Sequence, residues 1–135
     1  GSGQIGIEAL SRGARFSVFI ENDRNAASVI EKNIKKTGYE EKSRLINRDV
    51  SVALSGLRLQ NGVFDIVFMD PPYALHNENE VLSRLKSEEL IDENSIVIVE
   101  AELKRDISDI PPAGFKLIRD KSYKTNRHLF YGLEK

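Results

Sequence analysis

The tetrapeptide Asp70-Pro71-Pro72-Tyr73 brings together three groups that suit one kind of ligand. It follows an apolar run, Val63-Phe64-Asp65-Ile66-Val67-Phe68-Met69, that reads as a buried strand. Neither proline can extend a ladder, because each lacks an N–H and has a fixed φ, so the chain turns sharply after Asp70. A carboxylate, stiff carbonyl-bearing backbone and an aromatic ring are thereby held at the carboxyl end of a strand. In an open α/β sheet this is the edge at which ligands bind. A flat ring carrying an amine fits such a place: Tyr73 stacks on the ring, while Asp70 and the prolyl carbonyls accept the N–H groups. The plainer alternative is a strand terminator whose Asp caps the next helix.

Gly1-Ser2-Gly3-Gln4-Ile5-Gly6 carries the G-x-G-x-x-G spacing. Such glycines let backbone approach a ligand closely and aim the first N–H groups of a helix at it. The pattern belongs after a strand. Here a helical sequence follows it but no strand precedes it, so the expectation is a sequence that begins inside its fold, with the first strand missing. An expression scar is another source of Gly-Ser-Gly. Glu21 ends the next strand at about the ~20-residue spacing from which an acid reaches ribose hydroxyls. Asp49, beyond the short strand Arg44-Leu45-Ile46, is a place where a carboxylate accepts from an adenine amine. Both acids also read as ordinary polar strand ends.

The elements that must hold these residues alternate between helical and extended patterns. Gln4 to Ser11 reads as a short helix ending near Gly13, and Phe16–Ile20 as a compact apolar strand. Asp23 caps a helix whose Ala26, Ala27, Ile30 and Ile34 form one stripe, with Gly38 past its end. Val52, Leu54, Leu57 and Leu59 suggest another helix closed by Asn61-Gly62. A polar loop through His76-Asn77-Glu78-Asn79 leads to a helix bearing Val81, Leu82 and Leu85, followed by the strand Ser95–Glu100. Glu100 reads equally as a polar strand end or a cleft-facing acid and stays outside the candidate set. Phe115–Arg119 and His128–Tyr131 are extended with no helix between them, so they pair as an antiparallel hairpin. Tyr123 and Tyr131 read as sheet-packing aromatics, and His128 as structural or surface. The result is an α/β fold with a mostly parallel sheet finished by a C-terminal antiparallel hairpin.

At 135 residues, with 40% apolar and 30% charged positions, the composition is that of one globular domain. The absence of cysteine excludes disulfides and thiolate metal sites, and two isolated histidines, His76 and His128, argue against a histidine-based metal centre. No run is long and apolar enough to span a membrane and no signal peptide is visible, so a cytoplasmic protein is expected. Net charge is −1, which gives no global pull toward a polyanion. Lys116, Arg119, Lys121, Lys124 and Arg127 nevertheless gather in one stretch against Asp120 alone. Such a stripe suits phosphates and equally suits a solvated strand face.

Taken in order, the glycine loop, Glu21, Asp49 and Asp70-Pro71-Pro72-Tyr73 come from successive strand ends and resemble the S-adenosylmethionine-dependent methyltransferase fold. The tetrapeptide is that of its exocyclic-amine N-methyltransferases. The opening Gly1-Ser2-Gly3-Gln4-Ile5-Gly6-Ile7-Glu8-Ala9-Leu10-Ser11-Arg12-Gly13-Ala14 is similar to the bacterial 16S ribosomal RNA guanine-N2 methyltransferase family. So are Glu21-Asn22-Asp23-Arg24 and Ser122-Tyr123-Lys124-Thr125, and the resemblance covers nearly the whole chain. It implies a Rossmann-like class I methyltransferase domain over residues 1–135, lacking the family's first strand and the basic arm it uses on RNA. It implies that Gly1, Ser2 and Gly3 line the methionine part of S-adenosylmethionine, Glu21 its ribose and Asp49 its adenine end. Asp70, Pro71, Pro72 and Tyr73 would receive the guanine of ribosomal RNA, free or in a small-subunit assembly intermediate, with no metal and no membrane involved. Relatives that methylate DNA adenine or a glutamine side chain share the tetrapeptide. A nicotinamide-dependent oxidoreductase would use the same glycines and Glu21 but leaves Asp70–Tyr73 without a purpose. An inactive RNA-binding module is the remaining reading.

Overall fold

The computed structural model describes residues 3–57, 62–70 and 77–134. The chain divides into two compact units, Gly1–Gly56 and Leu57–Lys135.

The first unit runs α1 (Gln4–Ser11), β1 (Ser17–Ile20), α2 (Arg24–Thr37), a 3-10 turn (Glu40–Lys42), β2 (Ser43–Ile46) and α3 (Val50–Gly56). β1 and β2 pair in parallel, Ser17 opposite Ser43 through Ile20 opposite Ile46. Parallel neighbours need a crossover, and α2 supplies it. Its start is fixed by the Asp23 carboxylate, which accepts the Ala26 N–H at 3.0 Å, and its end by Gly38 at φ 78°. Between these caps Ala27, Ile30 and Ile34 are buried, the latter two in a cluster with Phe19 that Ile7, Tyr39 and Leu45 surround. Gly6 has a packing reason. A Cβ there would lie 2.4 Å from the Phe19 ring, so only glycine lets α1 rest on β1. Gly3, which begins α1 at φ 78°, combines a left-handed backbone with a close approach: its Cβ would meet Ile30 at 3.1 Å.

The second unit contains β3 (Ile66–Met69), α4 (Glu78–Ser87), β4 (Ile96–Glu102), β5 (Phe115–Ser122) and β6 (Asn126–Leu133). The strand order is β3-β4-β6-β5, with β3 parallel to β4 and the other pairs antiparallel. The expected hairpin is present, and it folds so that the last strand lies between β4 and β5. One face of this sheet is buried through Val97, Val99, Ala101, Leu129 and Tyr131, and Val81, Leu82 and Leu85 of α4 are buried as well. The entries to β3 and β4 are tied together: the Ser95 hydroxyl donates to the Phe64 carbonyl at 2.6 Å, and the Ile96 N–H donates to Asp65 at 3.0 Å.

Two sequence expectations are corrected here. The apolar run before Asp70 yields a strand of only four residues, not a fully buried one: Ile66 is 67% exposed and Val67, Phe68 and Met69 are half-buried. Among the described residues β3 pairs on one edge only, with β4, and nothing covers Ile66. The helix expected to reach Asn61-Gly62 stops at Gly56, where a residue of low helix propensity precedes the buried Leu57. Leu59 and Asn61 lie outside the described residues. Among the described residues no helix is long and apolar enough to cross a membrane, and no group of three or more His, Asp or Glu side chains is arranged to hold a metal ion.

Candidate functional site

In the first unit, Glu21 and Asp49 follow two strands that run side by side. The Glu21 N–H extends the ladder to Ile46 at 3.0 Å, and Asn47 clamps the crossing by donating its side-chain amide to the carbonyls of Glu21 at 2.7 Å and Asn22 at 3.1 Å. The Glu21 carboxylate is itself held, accepting the Asp23 N–H through Oε2 at 3.1 Å. Asp49 accepts the Ser51 N–H at 3.0 Å at the start of α3 and is exposed. Two acceptor-only groups thus stand at adjacent carboxyl ends of a parallel pair, in the unit that also carries the Gly3 turn. Gly1 and Ser2 lie outside the described residues.

In the second unit, Asp70 is the residue directly after β3 and is exposed. Pro71, Pro72, Tyr73 and His76 lie outside the described residues. The β3–β4 register sets Met69 opposite Val99, so Asp70 and Glu100 fall level on neighbouring strands. Desolvation raises the Asp70 carboxyl above its ordinary range, and the like charge of Glu100 together with a side-chain hydrogen bond to it pushes the same way. Glu100 is anchored from β6, where His128 sits opposite it: Nε2 of His128 is 3.2 Å from Glu100 Oε1, and the Asn126 amide donates to the same oxygen at 3.4 Å. Edge contacts fix the imidazole, with ring centroids 5.6 Å from Phe68 and 4.8 Å from Tyr123. The arrangement offers a carboxylate pair that accepts hydrogen bonds from an amine, backed by a polarisable imidazole.

Sequence reasoning missed Glu100 and His128 as members of this cluster. A signal for Glu100 exists: like Asp70, it is an acid that ends an apolar strand. Its meaning depends on register between strands about thirty residues apart, and so does its contact with His128. Tyr123, expected to pack on the sheet, is 43% exposed because β5 stops at Ser122 and the ring projects from the hairpin turn. Tyr131 does pack, with no exposure, and burial raises its hydroxyl to about 12.

The segment after the tetrapeptide also departs from expectation. Glu78 and Asn79 belong to α4 and not to a polar loop, and Glu78 is buried at 4% exposure. Its partner is Arg105, whose Nη2 lies 3.2 Å from Glu78 Oε1 while Nη1 reaches Asp109 at 3.3 Å. A buried carboxylate is tolerated because it is paired. Arg127 continues the tie, ion-paired with Asp120 and donating to the Arg105 carbonyl at 3.0 Å. Hairpin, the loop after β4 and the first turn of α4 are thus joined by charged hydrogen bonds at the sheet edge that carries Asp70.

Comparison with known proteins bears on this geometry. The chain is 31% identical over 123 residues to the Haemophilus influenzae protein named ribosomal RNA small subunit methyltransferase D, covering 90% of this chain and 62% of that one. It is 33% identical over 121 residues to the protein of the same name from Buchnera aphidicola, covering 90% and 61%. The chain therefore spans about three fifths of the length of these curated relatives. A solved structure of a conserved hypothetical protein from Streptococcus pyogenes superimposes with a TM-score of 0.87 at 30% identity, covering 99% of this chain and 81% of that one. The α/β architecture, parallel strands finished by an antiparallel pair, is the class I methyltransferase fold. The profile of the family described as conserved hypothetical protein 95 matches residues 1–132, and the chain belongs to that family.

Proposed function

We propose that this chain carries the cofactor- and base-binding core of an S-adenosylmethionine-dependent methyltransferase acting on the exocyclic amine of a guanine in 16S ribosomal RNA. The observation that carries the reading is the exposed Asp70 carboxylate at the carboxyl end of β3, level with Glu100, in a chain whose relatives are named for ribosomal RNA methylation. The first unit suits the cofactor. A ribose presents hydroxyl donors, which an acceptor-only group at Glu21 receives; Asp49 suits the adenine end; and Gly3 opens α1 in a left-handed turn of the same unit. Gly1 and Ser2 would complete that turn. Bound there, the cofactor supplies an electrophilic methyl on a sulfonium.

The chain's own part is positioning and electrostatics. A guanine amine is a weak nucleophile because its lone pair is delocalised into the ring. Asp70 and a carbonyl of Pro71 or Pro72 would accept its two N–H groups and orient the lone pair for in-line attack, while Tyr73 stacks on the base. Positive charge grows on that nitrogen as the new bond forms, and a carboxylate already in place stabilises it without reorganisation. The excess proton then leaves to Asp70, whose raised affinity for protons suits a temporary acceptor. The target base must first leave its stack.

In the full-length protein, Asp70→Ala is expected to lower turnover on 16S ribosomal RNA by about a hundredfold or more, the usual cost of removing one preorganised group. The dissociation constant for S-adenosylmethionine, read by calorimetry, should stay within a few fold. Glu21→Ala should do the reverse and weaken the cofactor. Tight binding of NAD in place of S-adenosylmethionine, or full turnover by Asp70→Ala, would end the reading. Mass spectrometry of ribosomal RNA from cells lacking the gene identifies the base.

A further inference from the structure

Beyond the carboxylate pair, an aromatic row runs along the same sheet edge. Phe68, two residues before Asp70 on β3, meets the edge of His128 on β6, and His128 meets Tyr123 just past β5. The row ends in solvent. The Tyr123 N–H donates to the Asn126 carbonyl at 2.7 Å, which closes the hairpin turn and fixes the backbone from which the ring projects. Lys121 brings its ammonium to 5.2 Å from the ring centroid, and Lys124, one residue on, is exposed. With these contacts made, the Tyr123 ring is still 43% exposed, so part of it remains open to a ligand.

We propose that Tyr123, held by His128 and flanked by Lys121 and Lys124, is the stacking platform for a nucleotide flanking the target base on the same single strand of RNA. The proposal rests on the reading above for the identity of the target. Three features support single-stranded RNA as the occupant. Every base has a π-face, so one exposed ring accepts any neighbour. Adjacent cations meet the phosphates of the strand that runs between the two nucleotides. And the strand order sets Tyr123 three strand spacings from Asp70, about 14 Å, a span that a short stretch of extended single strand covers. The edge thus changes from acid, where an amine is received, to cationic and aromatic, where backbone and base are received. His128 serves both ends, touching Glu100 on one side and Tyr123 on the other. It is a positioning residue for the platform.

The test is a coupling measurement on the full-length protein. The probe is a short single-stranded RNA with one guanosine among uridines, together with versions carrying an abasic site at each flanking position in turn. Dissociation constants are read by fluorescence anisotropy. Tyr123→Leu is expected to weaken the intact RNA about tenfold, and Tyr123→Phe to stay within about twofold, because stacking needs the ring and not the hydroxyl. At one flanking position, loss of the base should weaken binding to the wild type by about the same factor and leave Tyr123→Leu unaffected. Lys121→Gln should flatten the dependence of affinity on salt by about one phosphate contact. Affinity for S-adenosylmethionine should not move in any of these variants. A Tyr123→Leu defect that is the same with and without every flanking base, as a purely structural ring would give, overturns the proposal. So does unchanged RNA affinity in Tyr123→Leu. Because the readout is binding, failure of methyl transfer to any RNA would sink the functional reading while leaving the platform to stand or fall on its own coupling.

Discussion

Asp70 and Glu100 are level because two parallel strands share a register, and a pair of facing carboxylates cannot both ionise freely. Asp70 takes the consequence, its proton affinity raised by desolvation and then by Glu100. The sign of the pH effect follows. A carboxyl raised on folding contributes stability that is present in full below the ordinary carboxylate range and is lost as pH climbs through the raised value. Ionising Asp70 is therefore less favourable in the folded protein than in the unfolded chain, and the ionised form is also the one that accepts an amine. Glu100→Gln keeps the shape and removes the like charge. It is expected to raise the melting temperature at neutral pH, with the gain vanishing on acidification, and to move the acid limb of the pH–rate profile to lower pH. Melts and initial rates between pH 4 and 8 check both, and an unmoved acid limb would show that Glu100 does not act on Asp70. Of this cluster the sequence shows Asp70 alone, because a proline pair marks a turn locally. Glu100, His128 and the buried Glu78 owe their roles to partners across register or chain, and no local pattern announces them.

The first unit shows which elements can be read without coordinates. Asp23, the stripe Ala27, Ile30 and Ile34, and Gly38 are local signals for one helix, and α2 follows them from cap to cap. α3 is the contrary case: its apolar spacing suggests a longer helix, and Gly56 ends it. Two glycines make the distinction measurable. At Gly6 an added methyl meets the Phe19 ring at 2.4 Å, and that ring is locked among Ile30 and Ile34. Gly6→Ala is expected to destabilise the first unit by about 1–3 kcal/mol through overpacking, which exceeds the ~1 kcal/mol that alanine adds to a helix. Nothing lies within 4 Å of a Cβ at Gly56. Gly56→Ala is therefore expected to be neutral or stabilising by up to about 1 kcal/mol. Urea midpoints of the two variants give the comparison, and equal shifts would mean that close packing of α1 on β1 is not why Gly6 is glycine.

At the scale of the molecule, the alternation of helix and strand and the terminal hairpin are legible, and the arrangement of strands is not. Consecutive strands usually lie side by side, which would place β5 next to β4. The order β3-β4-β6-β5 instead sends β5 to the outside and brings β6 back to the interior, where Leu129 and Tyr131 face Val99 and Val97 across the ladder. Charge explains part of the choice. β5 carries Lys116, Arg119, Asp120 and Lys121, a sequence that blunts an edge, whereas β6 carries the apolar residues an inner strand needs. This inversion has a temporal consequence. During synthesis β4 and β5 leave the ribosome before the strand that separates them, so each waits with a bare row of backbone donors and acceptors until Leu133 is free. A version ending at Thr125 is expected to partition into the insoluble fraction, and fractionation against the 135-residue chain checks it. Recovery of that shortened version in solution, with a cooperative melt, would mean that β4 and β5 can satisfy one another. The final turn of the hairpin is thus also a timing element: quality control during translation meets an open sheet until the closing strand arrives.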